Sequence, residues 1–264
     1  MKSRTILGLA AAALMAFAVA PAKADSLADI KAAGKVRIAV AMGVPLFAFV
    51  DKDLKPTGSD VETARMIAKS LGVDLELIEI TNAARVPTIQ ARKADILVAD
   101  LAITAERQKV VDFTIPYATL DIIVAGPAAD KIADYPDLSG KRVGVTRATV
   151  NDQLVSEKAK DAIPVRFEDD ATLITATASK QVDIVSTQTA VLAAMNEKRA
   201  DAPLEVKFVQ QSLDLGIAIP KEEPQLRDWL NAWIKENFAN GSLPAMFKSF
   251  HGRDLPADLT ERVH

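Results

Sequence analysis

Apolar and polar positions fall in short blocks along this chain, and the period of the blocks keeps changing. KVRIAV at 35–40 is a compact apolar run and predicts a strand. Ser59–Leu71 sets Val61, Ala64, Ile67, Ala68 and Leu71 at helical spacing, with Gly72 just after, so an amphipathic helix with a glycine stop is expected. DLELIEI at 74–80 alternates and predicts the next strand. A short helix over 85–92 and a buried strand over 95–99 follow. Strand and helix taking turns imply an α/β fold, a mostly parallel sheet with helices on both faces.

DIIVAG at 121–126 predicts a strand that runs into Pro127, and there the pattern restarts. PDLSGK at 136–141 is a turn. Strands are expected over 142–145, 164–167 and 182–186, and helices over Val150–Lys158, 171–180 and 187–199. LEVKFV at 204–209 is a further extended run, and 216–219 a strand. A long helix over 222–238 carries Leu226, Trp229, Leu230, Trp233, Ile234 and Phe238 on one face, and Gly241 ends it. The two tryptophans, four residues apart on that face, read as core rather than as a ligand platform. Two α/β units therefore lie in the middle of the chain, with 121–126 and 204–209 as candidate crossings between them. The last helix is long enough to pack back on the first unit. The polar tail after Phe250 is expected to be frayed or draped.

The first residues do not fit this pattern. Lys2 and Arg4 precede an unbroken apolar run from Ile6 to Ala20, Pro21 breaks it, and Ala22-Lys23-Ala24 offers small residues for a signal peptidase. The run is short against the roughly 20 residues needed to span a bilayer. A secretory signal peptide over 1–24 is expected, with cleavage after Ala24 and a periplasmic product.

Composition narrows the chemistry. The 264 residues carry 32 Lys plus Arg against 35 Asp plus Glu. Losing Lys2, Arg4 and Lys23 moves the net charge from −3 to −6. No basic surplus exists for holding nucleic acid. With no Cys, disulfides, thiolate nucleophiles and Cys-ligated metals are excluded, and a lipoprotein anchor with them. The two histidines, His251 and His264, both lie near the C-terminus, so a multi-histidine metal site is excluded too. Neither a cofactor nor a metal is expected.

ADILVADLAITAERQKVVDFTIPY at 94–117 resembles the extracellular solute-binding proteins of polar amino-acid ABC transporters. GKVRIAVAMGVPLFAF at 34–49 resembles their opening strand and ligand-facing loop, and Gly58-Ser59-Asp60-Val61 the start of their first helix. NAARVPTIQARK at 82–93 and LSGKRVGVTRAT at 138–149 resemble the stretch before the third strand and the entry to the second lobe. The match runs from about residue 27 to about 250, and the order and spacing of these blocks make it specific. The resemblance implies the two-lobed periplasmic-binding-protein fold (type II), joined by a two-stranded hinge that closes on a ligand. The lobes are expected at 25–122 with 210–264, and at 123–209. The implied partners are an amino acid or related small carboxylate and the membrane permease of an ABC importer, and a monomer is expected.

The resemblance also places a site. Arg107 closes the I-T-A-E-R motif, where the family's arginine grips the ligand α-carboxylate through its planar fork. Arg85 matches an arginine that contacts the ligand in relatives selective for acidic amino acids; it fits equally an arginine bound to backbone or to an acidic neighbour. Thr149 and Val150 fall at a helix N-terminus, whose free N–H groups favour an anion. Arg147 beside them either adds positive charge to the cleft or is a surface charge. Two positions depart from the family. Ala102 stands where a hydroxyl is common, and Gln188 stands where the ammonium-binding Asp belongs. Asp100, where a small residue or Ser is usual, either restores that negative charge or caps a strand end. Asn82 falls where an aromatic often stacks on the ligand, and Phe47 is either an apolar wall of the site or core.

Arg85, Arg107 and Arg147 together favour a carboxylate-rich polar ligand. An enzyme on the same scaffold, a dehydratase of prephenate-like acids, is the alternative. It needs a general acid or base in the cleft, for which Asp100 is the candidate while Glu106 is expected to point away. A sensor module fused to a receptor is a third class, against which a freestanding binding protein without catalytic activity is expected.

Overall fold

The computed structural model describes residues 26–264, and the leader with its expected cleavage site lies outside the described residues. The first lobe opens with helix α1 (Ser26–Ala33) and strand β1 (Lys35–Ala41), buried on both faces from Ile38 onward. A small hairpin of β2 (Phe49–Val50) and β3 (Pro56–Thr57) leads into α2 (Ser59–Leu71), and β4 (Asp74–Ile80) follows. Then come α3 (Arg85–Gln90), the short β5 (Ile96–Leu97) and the single turn α4 (Ala105–Gln108). β4 and β5 flank β1, both parallel to it.

Gly58 pins the entry to α2. Its φ of 118° suits glycine, and a Cβ there would stand 2.3 Å from the Phe47 carbonyl oxygen. The close approach lets the Ser59 and Asp60 N–H groups donate to the Leu46 and Phe47 carbonyls at 2.9 and 2.8 Å. Gly72, left-handed at φ 70°, ends α2 as expected from the sequence.

Two 16-residue strands then link the lobes: β6 (Asp112–Pro127) and β10 (Leu204–Ile219). They pair antiparallel from Leu204 opposite Pro127 to Ile219 opposite Asp112, with register shifts near Val206, Val209 and Gly216. Such bulges bend a strand and increase its twist. Between them in sequence lie β7 (Arg142–Thr146), α5 (Val150–Lys158), β8 (Ile163–Phe167), α6 (Asp170–Ala178), β9 (Ile184–Gln188) and α7 (Thr189–Glu197). β8 and β9 flank β7 in parallel, so this second unit repeats the local logic of the first. The full order is β4-β1-β5-β10-β6-β9-β7-β8, parallel in each lobe and antiparallel where β6 and β10 cross.

Helix α8 (Pro224–Ala239) and α9 (Ser242–His251) return to the first lobe. Trp233 is core, and its indole N–H donates to the Ser70 hydroxyl on α2 at 2.9 Å. Its neighbour Trp229 is partly buried against the same core. The main apolar cluster joins Ile38, Ile67, Leu97, Leu230 and Phe247. The second unit has a cluster on each side of its sheet, one around Leu173, Val185 and Met195, the other around Val143, Val145 and Val155.

One sequence expectation changes here and another is narrowed. The crossings are not short runs: the first extends back from Asp121 to Asp112, and the second continues without a break into 216–219. The tail is draped rather than frayed: Leu259 is fully buried, Arg253 donates to the Thr119 carbonyl at 2.6 Å, and Arg262 pairs with Asp214 at 2.6 Å.

Candidate functional site

The carboxyl ends of five strands converge on one cleft. Asn82 follows β4, Asp100 follows β5, Thr146 ends β7, Asp170 follows β8 and Gln188 ends β9. In α/β sheets this is where ligands bind, because loops there are free to carry polar groups and helix N-termini point inward. The floor is apolar, from Leu120, Ile122 and Leu213 on the crossing strands.

The wall on the first lobe is a closed electrostatic network. Asp100 sits at φ 40°, a left-handed conformation rare for residues other than glycine. That turn aims its N–H at Asp60 Oδ2, 2.7 Å away, and its carboxylate into the cleft. Arg85 Nη1 donates to Asp100 Oδ1 at 2.8 Å, and Arg85 Nε donates to the Asn82 carbonyl at 3.0 Å. Behind them the Tyr117 hydroxyl donates to Asp60 Oδ1 at 2.7 Å. Arg85, Asp100 and Asp60 are all buried. Burial, with the Asp100 charge beside it, pushes the Asp60 carboxyl up to about 8. Burial pushes Asp100 up to about 7, against the pull of Arg85.

Arg107 faces across the opening. Its backbone N–H is capped by the Thr104 hydroxyl at the start of α4. Nη1 donates to the Ala102 carbonyl at 2.9 Å and Nη2 to the Ala148 carbonyl at 3.2 Å, on the opposite lobe. Burial and the like charge of Arg85 lower the guanidinium to about 9, so it stays cationic at neutral pH. A second bridge crosses the cleft where Gln188 Nε2 donates to Asp100 Oδ2 at 3.1 Å.

The wall on the second lobe is built from neutral donors, hydroxyls and one buried carboxyl group. Ala148, at φ 59°, turns the chain from β7 into α5. Thr149 caps that helix, accepting from the Asp152 N–H at 3.2 Å and donating to the Thr146 carbonyl at 2.6 Å. The first-turn N–H groups of Val150 and Asn151 have no acceptor within the helix, which makes this end attractive to an anion. Asp170 opens α6, buried, with its Oδ1 taking the Thr146 hydroxyl.

Of the residues singled out in the sequence, Asn82, Arg85, Asp100, Ala102, Arg107, Thr149, Val150 and Gln188 line this cleft together. Phe47 does not: it is fully buried, its ring edge against His251 at 4.5 Å, which makes it core. Arg147 does not either. Its half-exposed side chain reaches Glu168 at 3.4 Å, the surface reading of that residue. Sequence reasoning missed Asp60, Tyr117, Thr146 and Asp170. An Asp at the start of a helix reads as a cap, and nothing local marks one that turns inward instead.

A two-lobed α/β body whose lobes bridge a buried polar cleft defines a protein that holds a small molecule between its lobes. The chain belongs to the bacterial extracellular solute-binding proteins, family 3, whose model matches residues 36–253. It is 30% identical to an ABC transporter glutamine-binding protein of Bacillus subtilis (strain 168), covering 89% of this chain and 88% of that protein. A crystal structure of a mutant of ArgBP from T. maritima superposes with a TM-score of 0.80 at 28% identity, covering 86% of this chain and all of that one. An ancestral amino acid-binding protein, a precursor of cyclohexadienyl dehydratase, superposes with a TM-score of 0.78 at 30% identity, covering 85% of this chain and 99% of that one.

Proposed function

We propose that this protein is the periplasmic amino-acid-binding component of an ABC importer, exported with cleavage after Ala24 and delivering its ligand as a monomer to a membrane permease. The observation that carries the reading is Arg107 in the cleft mouth, opposite the N-terminus of α5. The ligand α-carboxylate takes the guanidinium fork on one side and the Val150 and Asn151 N–H groups on the other. Closure then shifts an open–closed equilibrium, because only the closed form offers both halves of that anchor. The division of the lobes at 122/123 and 209/210 is supported by the apolar clusters, since Ile122 and Leu213 pack with the first lobe and Ile123 with the second.

Three arginines favoured a carboxylate-rich ligand from sequence. Two of them hold protein carboxylates, Arg85 on Asp100 and Arg147 on Glu168. The reading proposed here therefore keeps one carboxylate anchor, Arg107, and takes a polar zwitterionic amino acid as the ligand. Calorimetric titration with a panel of polar amino acids tests it. Saturable binding of at least one, with compaction seen by small-angle scattering, is expected. No heat with any amino acid would sink it.

One observation favours a second reading. Asp100 is buried in the cleft and holds its proton near neutrality, as a general acid must. Incubation with prephenate while following absorbance decides. Turnover lost in Asp100→Asn would replace binding by dehydration.

A further inference from the structure

Asp170 and Asn82 face the cleft with acceptor capacity that the protein leaves unused. Asp170 is 5% exposed, and Thr146 is its one hydroxyl donor. The Arg85 charge reaches it, but the Arg85 Nη1 is taken by Asp100 Oδ1. Among the described residues no Lys, Arg or His stands within ion-pair distance of Asp170, in contrast to the 2.8 Å pair that Asp100 makes. Capping α6 does not account for it. Asp169 performs that task, accepting from the Thr172 N–H at 2.8 Å in a reciprocal box. Asn82 is 2% exposed, and its Oδ1 has no hydrogen-bond partner. Its amide acts on the Asp170 carboxylate as a donor, which leaves Oδ1 of the same group as the orphan.

A buried carboxylate without a cation and a buried acceptor without a donor are both costly, and together they ask for one kind of group. That group must carry positive charge and more than one N–H. An amide supplies donors but leaves the charge unmatched, and a hydroxyl supplies a single donor. An ammonium or guanidinium meets both demands.

We infer that Asp170, with Asn82 Oδ1 beside it, is the specificity-determining acceptor that holds a cationic nitrogen of the ligand. The inference rests on the amino-acid-binding function proposed above and adds to it the group that selects the ligand. Charge within the cleft agrees. Arg85 is committed to Asp100 at 2.8 Å, which leaves Arg107 for a carboxylate and Asp170 for a cation. The nitrogen belongs either to the α-amino group or to a basic side chain, and both present the same chemistry.

Calorimetry on the full exported chain separates the two sources. Wild type, Asp170→Asn and Asn82→Leu are titrated with L-arginine, L-citrulline, L-glutamine and the α-hydroxy analogue of whichever amino acid binds. Asp170→Asn is expected to weaken the bound amino acid at least 100-fold while changing one analogue less than threefold. If that analogue is citrulline, the nitrogen is on the side chain; if it is the α-hydroxy acid, it is the α-ammonium. Asn82→Leu is expected to follow the same pattern with a smaller, roughly tenfold loss, and it stands as the test if Asp170→Asn does not fold. Unchanged affinity in the variants, or an equal loss for all analogues, overturns the inference while leaving the proposed function in place. A wild-type protein that binds no amino acid removes the function and the inference together.

Discussion

The two walls of the cleft are built on opposite principles. On the first lobe, Tyr117, Asp60, Asp100 and Arg85 satisfy one another in a chain of short contacts. On the second, helix-end N–H groups, Thr146, Thr149 and Gln188 line the cleft together with Asp170, which takes the Thr146 hydroxyl and has no cationic partner among the described residues. A satisfied buried network is rigid and expensive to disturb, whereas unsatisfied groups are what a ligand can reward. The difference teaches that a charged residue in a cleft is not by itself a ligand contact. Arg85 and Arg107 both line the cleft, yet Arg85 is committed to the protein and only Arg107 reaches across the opening.

Substitutions break this contrast in order of size. Arg107→Ala is expected to remove about 3–5 kcal/mol of ligand affinity, because a buried carboxylate loses its partner, with little change in melting temperature. Retained affinity in a calorimetric titration would take Arg107 out of the site. Arg85→Met is expected to do the reverse, costing about 3 kcal/mol of folding stability by stranding Asp100. Denaturant melts should show the loss, and adding Asp100→Asn should recover most of it. A loss that persists in the double variant would mean that Arg85 acts through its backbone contacts instead.

The raised carboxyls predict a pH response. Asp60 and Asp100 keep their protons in the native state up to about 8 and 7, while the unfolded chain has lost them above about 4. The native state binds more protons over that window, so this contribution to stability falls as pH rises and levels off above about 8. Stability is therefore expected to fall steadily between pH 5 and 8. Thermal melts of wild type against Asp60→Asn check it, and parallel curves for the two would remove Asp60 as a cause. The smallest effect is at the bridge between the walls. Gln188→Ala deletes one neutral-to-charged hydrogen bond and should loosen closure by about 1 kcal/mol, read as a larger radius of gyration in the ligand-free protein.

Much of the architecture was legible in the sequence. The α2 helix, with Gly72 as its stop, and the β1 and β4 strands follow from local periodicity. The first crossing strand was read short because Pro116 interrupts the apolar pattern of β6 ahead of Asp121, and the second as two pieces because QQSLD at 210–214 interrupts β10. Strand pairing, not side-chain pattern, carries those segments. The tail was read as polar because Leu255 and Leu259 are isolated in a charged stretch, and only docking on the first lobe buries them. In the site, the motif around Arg107 pointed to a residue that does line the cleft, but Asp170 was hidden behind the cap at Asp169.

Sequence alone determined the alternation of strands and helices, the two units and the apolar faces. Each of these depends on neighbours a few residues apart. The fate of each charge was decided by tertiary structure only. Asp100 is paired with Arg85, 15 residues away, and bridged by Gln188, 88 residues away. Asp170 is left without a cation by the same arrangement. Coulomb interactions and desolvation depend on distance in space, and folding sets those distances without regard to spacing along the chain.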